Sequence, residues 1–359
     1  MIRIGMLSYW HLHAADYTRE ILEHPGAEIA AVWDEDAERG AAEAAALGVP
    51  FIADLDDLLA RVDIDAVVVD TPTAAHRDVI VAAARAGKHV FSEKVIAATL
   101  AEAEEVVAAT AEAGIAFAVS MWRSDEPSTA LVAERLAAGD VGAVTELRIR
   151  DGHPFALPDP DNPAGRLPPQ FWDAATAQGG ILIDLCHPLY LVAHLLGLPV
   201  DVSATFGHVT GRGLEDNAVV TMRYADGAIA IAETSSVSAI TPFTIEAHGT
   251  TGSLVYSADG IGELVQRRID PRVAEAPPSP VAPDGALRRR STTGSPVWER
   301  IDIPAVERRT AFQTWITHIV DGTRDADNVE LARRLSAIVE AAYRSDAEGR
   351  RVALSELAR

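Results

Sequence analysis

Three side chains have types suited to proton chemistry near neutral pH, and they fall in two short segments. Lys94 stands in Ser92-Glu93-Lys94-Val95, and Asp184 and His187 stand in Gly179-Gly180-Ile181-Leu182-Ile183-Asp184-Leu185-Cys186-His187-Pro188. An ammonium beside a reacting oxygen stabilises developing negative charge, an imidazole takes or returns a proton, and a carboxylate near it fixes its tautomer. Asp184 and His187 share one face if a single helix runs through them. The same residues also have ordinary uses: most lysines are solvated, and Asp184 could instead cap the helix carrying Leu189 to Leu196.

Metal chemistry is poorly supported by the spacing. Cys186 is the single cysteine, which excludes a cysteine-based zinc site and an internal disulfide. His11 and His13 flank a helix start, but no third ligand is spaced beside them, so structural or cofactor-loop roles are expected and no metal. Charge narrows the partners further. Against 31 Lys plus Arg stand 53 Asp plus Glu, a formal charge of −22 that repels phosphate backbones and anionic lipid. The N-terminus shows no leader pattern and no 18-residue apolar run occurs, so a cytoplasmic protein without nucleic-acid or membrane partners is expected.

Elements that position these residues can be read from periodicity. Apolar runs at Ile2 to Leu7, Ile29 to Trp33, Ala66 to Val69, Val90 to Phe91 and Phe117 to Val119 have the character of buried parallel strands. Helical patterns lie between them at His11 to Leu22, Ala37 to Leu47, Ala75 to Ala86 and Leu100 to Ala113, with Gly26, Gly48, Gly87 and Gly114 as stops. This is an α/β, Rossmann-like, doubly wound parallel sheet over residues 1–122. From Thr145 the period changes to two, and Ala225-Asp226-Gly227 joins Ala218–Tyr224 to Ala228–Ser235 as a hairpin. Residues 123–359 are therefore expected to form an α+β domain with a large, mostly antiparallel open sheet. The proline-dotted stretch Gln266 to Ser295, with its run Arg288-Arg289-Arg290, reads as an excursion from that sheet, and Arg308 to Ile319 and Asn328 to Tyr343 read as helices.

In doubly wound sheets ligands bind beyond the carboxyl ends of the strands. After the first strand comes Ser8-Tyr9-Trp10-His11-Leu12-His13, where a dinucleotide fingerprint would place three glycines. Ser8 and the backbone N–H groups can still bind an anion, whereas the Trp10 indole would obstruct a pyrophosphate unless the loop is displaced or the ring stacks beside the ligand. After the second strand Asp34 could hold both hydroxyls of an adenosine ribose and repel a 2′-phosphate, which favours NAD over NADP; it could equally be a helix cap. Asp70-Thr71-Pro72-Thr73-Ala74-Ala75-His76 follows a fourth strand, and Glu93-Lys94 a fifth.

In their order along nearly the whole chain, Thr71-Pro72 with His76, Glu93-Lys94, the Gly179 to Pro188 segment, Glu215-Asp216-Asn217 and Gly249-Thr250-Thr251-Gly252-Ser253 resemble the Gfo/Idh/MocA oxidoreductases. The resemblance implies hydride transfer between nicotinamide C4 and a secondary hydroxyl or ketone of a sugar, cyclitol or related polyol. It makes Lys94, Asp184 and His187 catalytic, and Ser8, Tyr9, Trp10, His11, Asp34, Thr71, Pro72, His76, Glu93 and Lys94 cofactor-binding. On the substrate side Lys94, Asp184 and His187 would be joined by Trp122, Arg123, His153 and Tyr190. A homo-oligomer, dimer or tetramer, through the C-terminal sheet is the family's habit. Departures are Val95 in place of the proline that usually follows the lysine, and three residues rather than four between Asp184 and His187. An NAD-dependent oxidation-elimination glycosidase and a non-catalytic sugar or nucleotide sensor are the competing expectations.

Overall fold

The computed structural model describes residues 1–239, 241–258, 285–292, 297–304 and 309–357. In chain order the first elements are β1 (Ile2–Leu7), α1 (Ala14–Glu23), β2 (Ala27–Trp33), α2 (Ala37–Leu47), α3 (Leu55–Leu59), β3 (Ala66–Val69), α4 (Thr73–Arg85), β4 (His89–Ser92), α5 (Leu100–Ala113) and β5 (Phe117–Val119). There follow α6 (Pro127–Ala137), β6 (Val144–Gly152), α7 (Ala174–Ala177), α8 (Ile181–Asp184), α9 (His187–Leu196), β7 (Asp201–Gly207), β8 (Asn217–Arg223), β9 (Ile229–Ser235), β10 (Phe243–Gly249) and β11 (Gly252–Ala258). The described chain closes with β12 (Ala286–Ser291), β13 (Glu299–Ile301), α10 (Ala311–Asp321), α11 (Ala326–Glu348) and β14 (Val352–Ala353).

Two compact units divide the chain. One comprises residues 1–122, 175–178 and 309–336; the other comprises 123–174, 179–308 and 337–359. In the first, five parallel strands run in the order β2-β1-β3-β4-β5. β3 is buried along its whole length, as a strand covered on both faces must be. Helices hold their ends by local chemistry: the Asp36 carboxylate accepts the N–H groups of Glu38 and Arg39 at the start of α2, and Thr310 and Gln313 form a reciprocal capping box on α10. α10 packs on this sheet through Phe312 and Trp315, whose indole N–H donates to the Ala116 carbonyl at 3.1 Å.

The second unit is built on nine strands in the order β13-β12-β11-β10-β6-β9-β8-β7-β14, mostly antiparallel, with β6 and β9 the parallel pair. β8 and β9 form the expected hairpin, turning at Gly227 with φ 94°. Leu189, Tyr190, Val192 and Ala193 of α9 are buried with Leu147, Ile149, Ala230 and Ala232 of the strands that α9 touches. Among the described residues no single helix is long and apolar enough to cross a membrane.

Several expectations are corrected. The parallel sheet has five strands, so the turn at Asp70 follows β3 and Glu93-Lys94 follows β4. α1 starts at Ala14 rather than His11 and ends at Glu23 with His24 as its cap, so Gly26 does not stop it. Arg288-Arg289-Arg290 lie within β12, not in an excursion. Leu287 anchors that strand in the core, and Arg289 pairs with Asp140 and Glu299. Residues 266–284 of the proline-dotted stretch lie outside the described residues.

Candidate active site

The strand order reverses between β1 and β3, which places a ligand crevice beyond their carboxyl ends. Ser8, immediately after β1, takes φ 78°, a left-handed conformation in which the glycine of a dinucleotide turn would be unstrained. Its Oγ accepts the Trp10 N–H at 3.1 Å, so the hydroxyl closes the turn locally. Trp10 itself is buried. At the end of β2, Asp34 is buried and receives four donors: Oδ1 from Arg39 Nη2 (2.6 Å) and the Asp36 N–H (2.8 Å), Oδ2 from Arg39 Nε (2.9 Å) and the Tyr9 N–H (2.9 Å). A carboxylate accepts about four such bonds. Both Asp34 oxygens are thus engaged within the protein, and Arg39, five residues on, is a site residue the sequence reading missed.

His76 is buried, with Nδ1 2.6 Å from the Val95 carbonyl and Nε2 2.9 Å from the Thr71 carbonyl. Its ring therefore ties the turn after β3 to the segment that follows Lys94. The Lys94-Val95 peptide is cis. Lys94 and Glu93 are each about 1% exposed, and Lys94 Nζ lies 3.0 Å from Glu93 Oε1. The other Glu93 oxygen takes a short hydrogen bond from the Tyr17 hydroxyl and lies 3.3 Å from His13 Nδ1. Burial raises the Glu93 carboxyl, but the Lys94 ammonium and the His11 and His13 imidazoles win and hold it well below the usual range.

Glu93 also corrects the statement that His11 and His13 have no third partner. Donor atoms of His11, His13 and Glu93 lie within 4.8 Å of one another. Spacing could not show this, because His13 and Glu93 are 80 positions apart. His11 Nδ1 accepts the His13 N–H at 3.2 Å, which puts the proton of a neutral His11 ring on Nε2.

In the second unit Gly179 and Gly180 have a specific reason. A Cβ on Gly180 would stand 2.1 Å from the Glu215 carbonyl oxygen, and one on Gly179 would stand 2.0 Å from the Tyr343 hydroxyl. Glu215 Oε1 accepts the N–H groups of Gly180 (2.8 Å) and Leu182 (3.2 Å) and the Tyr343 hydroxyl (2.5 Å), anchoring the start of α8. Asp184 ends α8 and His187 begins α9. Between them Leu185 leaves helical geometry at φ −105°, ψ 51°, and Pro188 sits in the first turn of α9. The pair therefore does not share one helix, and Asp184 does not cap α9, whose cap position is Cys186. His187 is buried, its ring 5.5 Å from that of Tyr190.

Arg123 is also buried. Its guanidinium pairs with Asp151 at 3.0 Å and Glu126 at 3.1 Å and lies 3.9 Å over the Phe243 ring, while its N–H donates to the Tyr190 hydroxyl at 3.1 Å. His153 stacks on Phe155 at 4.2 Å. Arg123, His153, Asp184, His187 and Tyr190 thus belong to the second unit, while Trp122, Lys94 and the strand-end residues belong to the first.

Residues 3–121 match the family model described as "Oxidoreductase family, NAD-binding Rossmann fold", and residues 129–255 match the GFO/IDH/MocA C-terminal domain. The chain belongs to the Gfo/Idh/MocA oxidoreductase family. This Gfo/Idh/MocA protein is 30% identical over 235 residues to 1,5-anhydro-D-fructose reductase of Ensifer adhaerens, covering 64% of this chain and 68% of that one. It is 30% identical over 369 residues to D-apiose dehydrogenase of Paraburkholderia graminis, covering 99% and 89%. The solved structure of levoglucosan dehydrogenase in complex with NADH and levoglucosan superposes with a TM-score of 0.75 at 20% identity, covering 98% and 99% of the two chains, a likeness of fold.

Proposed function

We propose that this Gfo/Idh/MocA oxidoreductase transfers hydride between C4 of a nicotinamide dinucleotide and a secondary hydroxyl or ketone of a sugar, cyclitol or related polyol. The observation that carries this reading is the buried Glu93-Lys94 ion pair at the carboxyl end of β4. An ammonium held out of water there is worth far more to a developing alkoxide than a solvated one. Relatives named as reducing or oxidising sugars support the substrate class. When bound, the nicotinamide ring supplies the hydride acceptor or donor.

The chain's residues fit such a ligand. Ser8 gives the turn after β1 a glycine-like backbone, and the Asp70 carboxyl and Thr71 hydroxyl after β3 are buried without hydrogen-bond partners. In the oxidative direction His187 takes the hydroxyl proton as the C–H hydride leaves, giving ketone, reduced dinucleotide and an imidazolium. Lys94 steadies the oxygen while it is anionic. Asp184 hydrogen-bonds the substrate or orients His187. His76 acts at one remove, holding the Lys94 turn through the Val95 carbonyl.

Asp34 alone would favour NAD, but Arg39 occupies its lone pairs and offers a 2′-phosphate a counter-charge. Both cofactors are therefore accepted, with Arg39 setting the ratio. In Arg39→Ala, NADPH binding weakens about tenfold while NADH binding changes less than about threefold; titrations of both against the variant check this.

Turnover is tested by incubating the protein with NAD and NADP and a panel of free polyols and aldoses, reading absorbance of the reduced dinucleotide. Sustained reduction with at least one substrate is the expected result. Glycosidic cleavage without accumulating NADH would establish the oxidation-elimination reading instead. Sugar binding by calorimetry with no spectral change under either dinucleotide would establish a sensor.

A further inference from the structure

The carboxyl end of β3 holds an unbalanced account of hydrogen bonds. Both oxygens of Asp70 and the hydroxyl of Thr71 are buried without a partner, Asp70 at 0% exposure. A buried group left in this state costs folding free energy, and a site with a ligand to bind is where such a cost persists. Backbone packing does not explain the side chain. The Asp70 N–H donates to the Leu7 carbonyl at 2.9 Å and its carbonyl accepts the His11 N–H at 3.3 Å, so the main chain is fixed from both sides without the carboxyl. Asp34, by contrast, has donors on both oxygens.

The chemistry of the group selects its partner. Burial pushes the Asp70 carboxyl well above the usual range; the negative charges of Glu93 and Asp16 push the same way, and the Lys94 ammonium opposes them. A protonated carboxyl offers one donor and one acceptor side by side. A primary carboxamide offers the matching acceptor and donor, whereas a ribose diol suits an ionised carboxylate better. Asp70 stands just beyond β3, at the reversal of strand order, and it is close enough to Lys94 and Glu93 to feel their charges.

We propose that Asp70 is a binding residue for the nicotinamide half of the dinucleotide, its carboxyl pairing at two points with the ring carboxamide. This rests on the reading that the protein binds a nicotinamide dinucleotide, and it adds a contact that neither the motif pattern nor the strand-end glycine signature carries.

The test combines stability with three probes: NADH, ADP-ribose, which lacks the nicotinamide ring, and AMP. In Asp70→Leu the unliganded protein should melt about 2–4 °C higher, because an unpaired buried polar group is gone, while NADH binds about tenfold more weakly. ADP-ribose and AMP should bind as to the wild type. Asp70→Asn, which keeps one donor and one acceptor, should hold NADH within about threefold of wild type. Asp70→Ala carries the same expectations as Asp70→Leu if the larger side chain prevents folding. Unchanged NADH affinity in Leu and Ala variants overturns the proposal. So does a lower melting temperature in both, which would mark a structural carboxyl, or an equal loss of ADP-ribose, which would place the contact elsewhere than the ring amide. A wild-type protein that binds ADP-ribose and AMP but neither NADH nor NADPH overturns this inference together with the redox reading; failure of the Asp70 variants alone leaves the redox reading standing.

Discussion

Replacing Lys94 with methionine is expected to lower kcat by about 10³ while NADH affinity changes less than about threefold. Methionine keeps most of the apolar stem and removes the cation, so the loss falls on the stage at which the substrate oxygen carries charge. A single variant would confound this with stability, because Glu93 would be left buried without its ammonium. The double variant Lys94→Met with Glu93→Gln separates the two: it recovers stability and remains as slow as the single variant.

The pH dependence carries a sign. Glu93 has a depressed folded-state pKa, so its pairing contributes stability that is present above the unfolded carboxylate range and is lost as pH falls through the folded value. The deficit of Lys94→Met relative to wild type should therefore be largest near pH 7 and shrink on acidification. Denaturant midpoints at neutral and acid pH read this directly. A deficit that grows on acidification would show that Lys94 does not stabilise the Glu93 anion.

The second large effect lies in the glycine pair of the second unit. Gly180→Ala forces a Cβ to 2.1 Å from a backbone oxygen of Glu215. That oxygen accepts the Ile181 N–H at 3.0 Å, and the Glu215 side chain caps the same turn, so nothing there yields cheaply. A loss of about 3 kcal/mol or more is expected, with activity falling because α8 and the residues after it, Asp184 and His187, are displaced. Gly179→Ala meets the end of a Tyr343 side chain instead, which can move, and should cost less. Thermal melts of the two variants side by side check the order; a Gly180→Ala protein as stable as wild type would refute this account of the motif.

Much of the parallel half was legible because its signals are local. The fully apolar run Ala66 to Val69 and the alanine-rich stretches Ala37 to Leu47 and Leu100 to Ala113 coincide with β3, α2 and α5, and Gly48 and Gly114 adopt the left-handed conformation that ends those helices. α3, five residues long, and α6, opening on Pro127, carried too little periodicity to be read. The break between Asp184 and His187 was signalled only by Pro188, which fits the first turn of a new helix but cannot continue an old one.

At the site, residue types were legible and partnerships were not. Glu93 was recognised as the neighbour of Lys94, but its bonds to Tyr17 and His13 come from an element about eighty positions earlier. Arg39 lies one turn into α2 and was passed over because an arginine on a helix start has no meaning until Asp34 is seen beneath it. Asp70 was read as part of a turn; only its burial, with nothing bonded to it, gives it a role.

The central claim is that this fold binds a nicotinamide dinucleotide on its parallel sheet, and the most direct measurement is a titration of the wild-type protein with NADH and NADPH. Tryptophan emission quenched by energy transfer to the reduced ring reports binding. The account predicts saturation at one dinucleotide per chain with a Kd between about 1 µM and 1 mM, for at least one of the two. Emission that falls without saturating for both up to several times that range would contradict it.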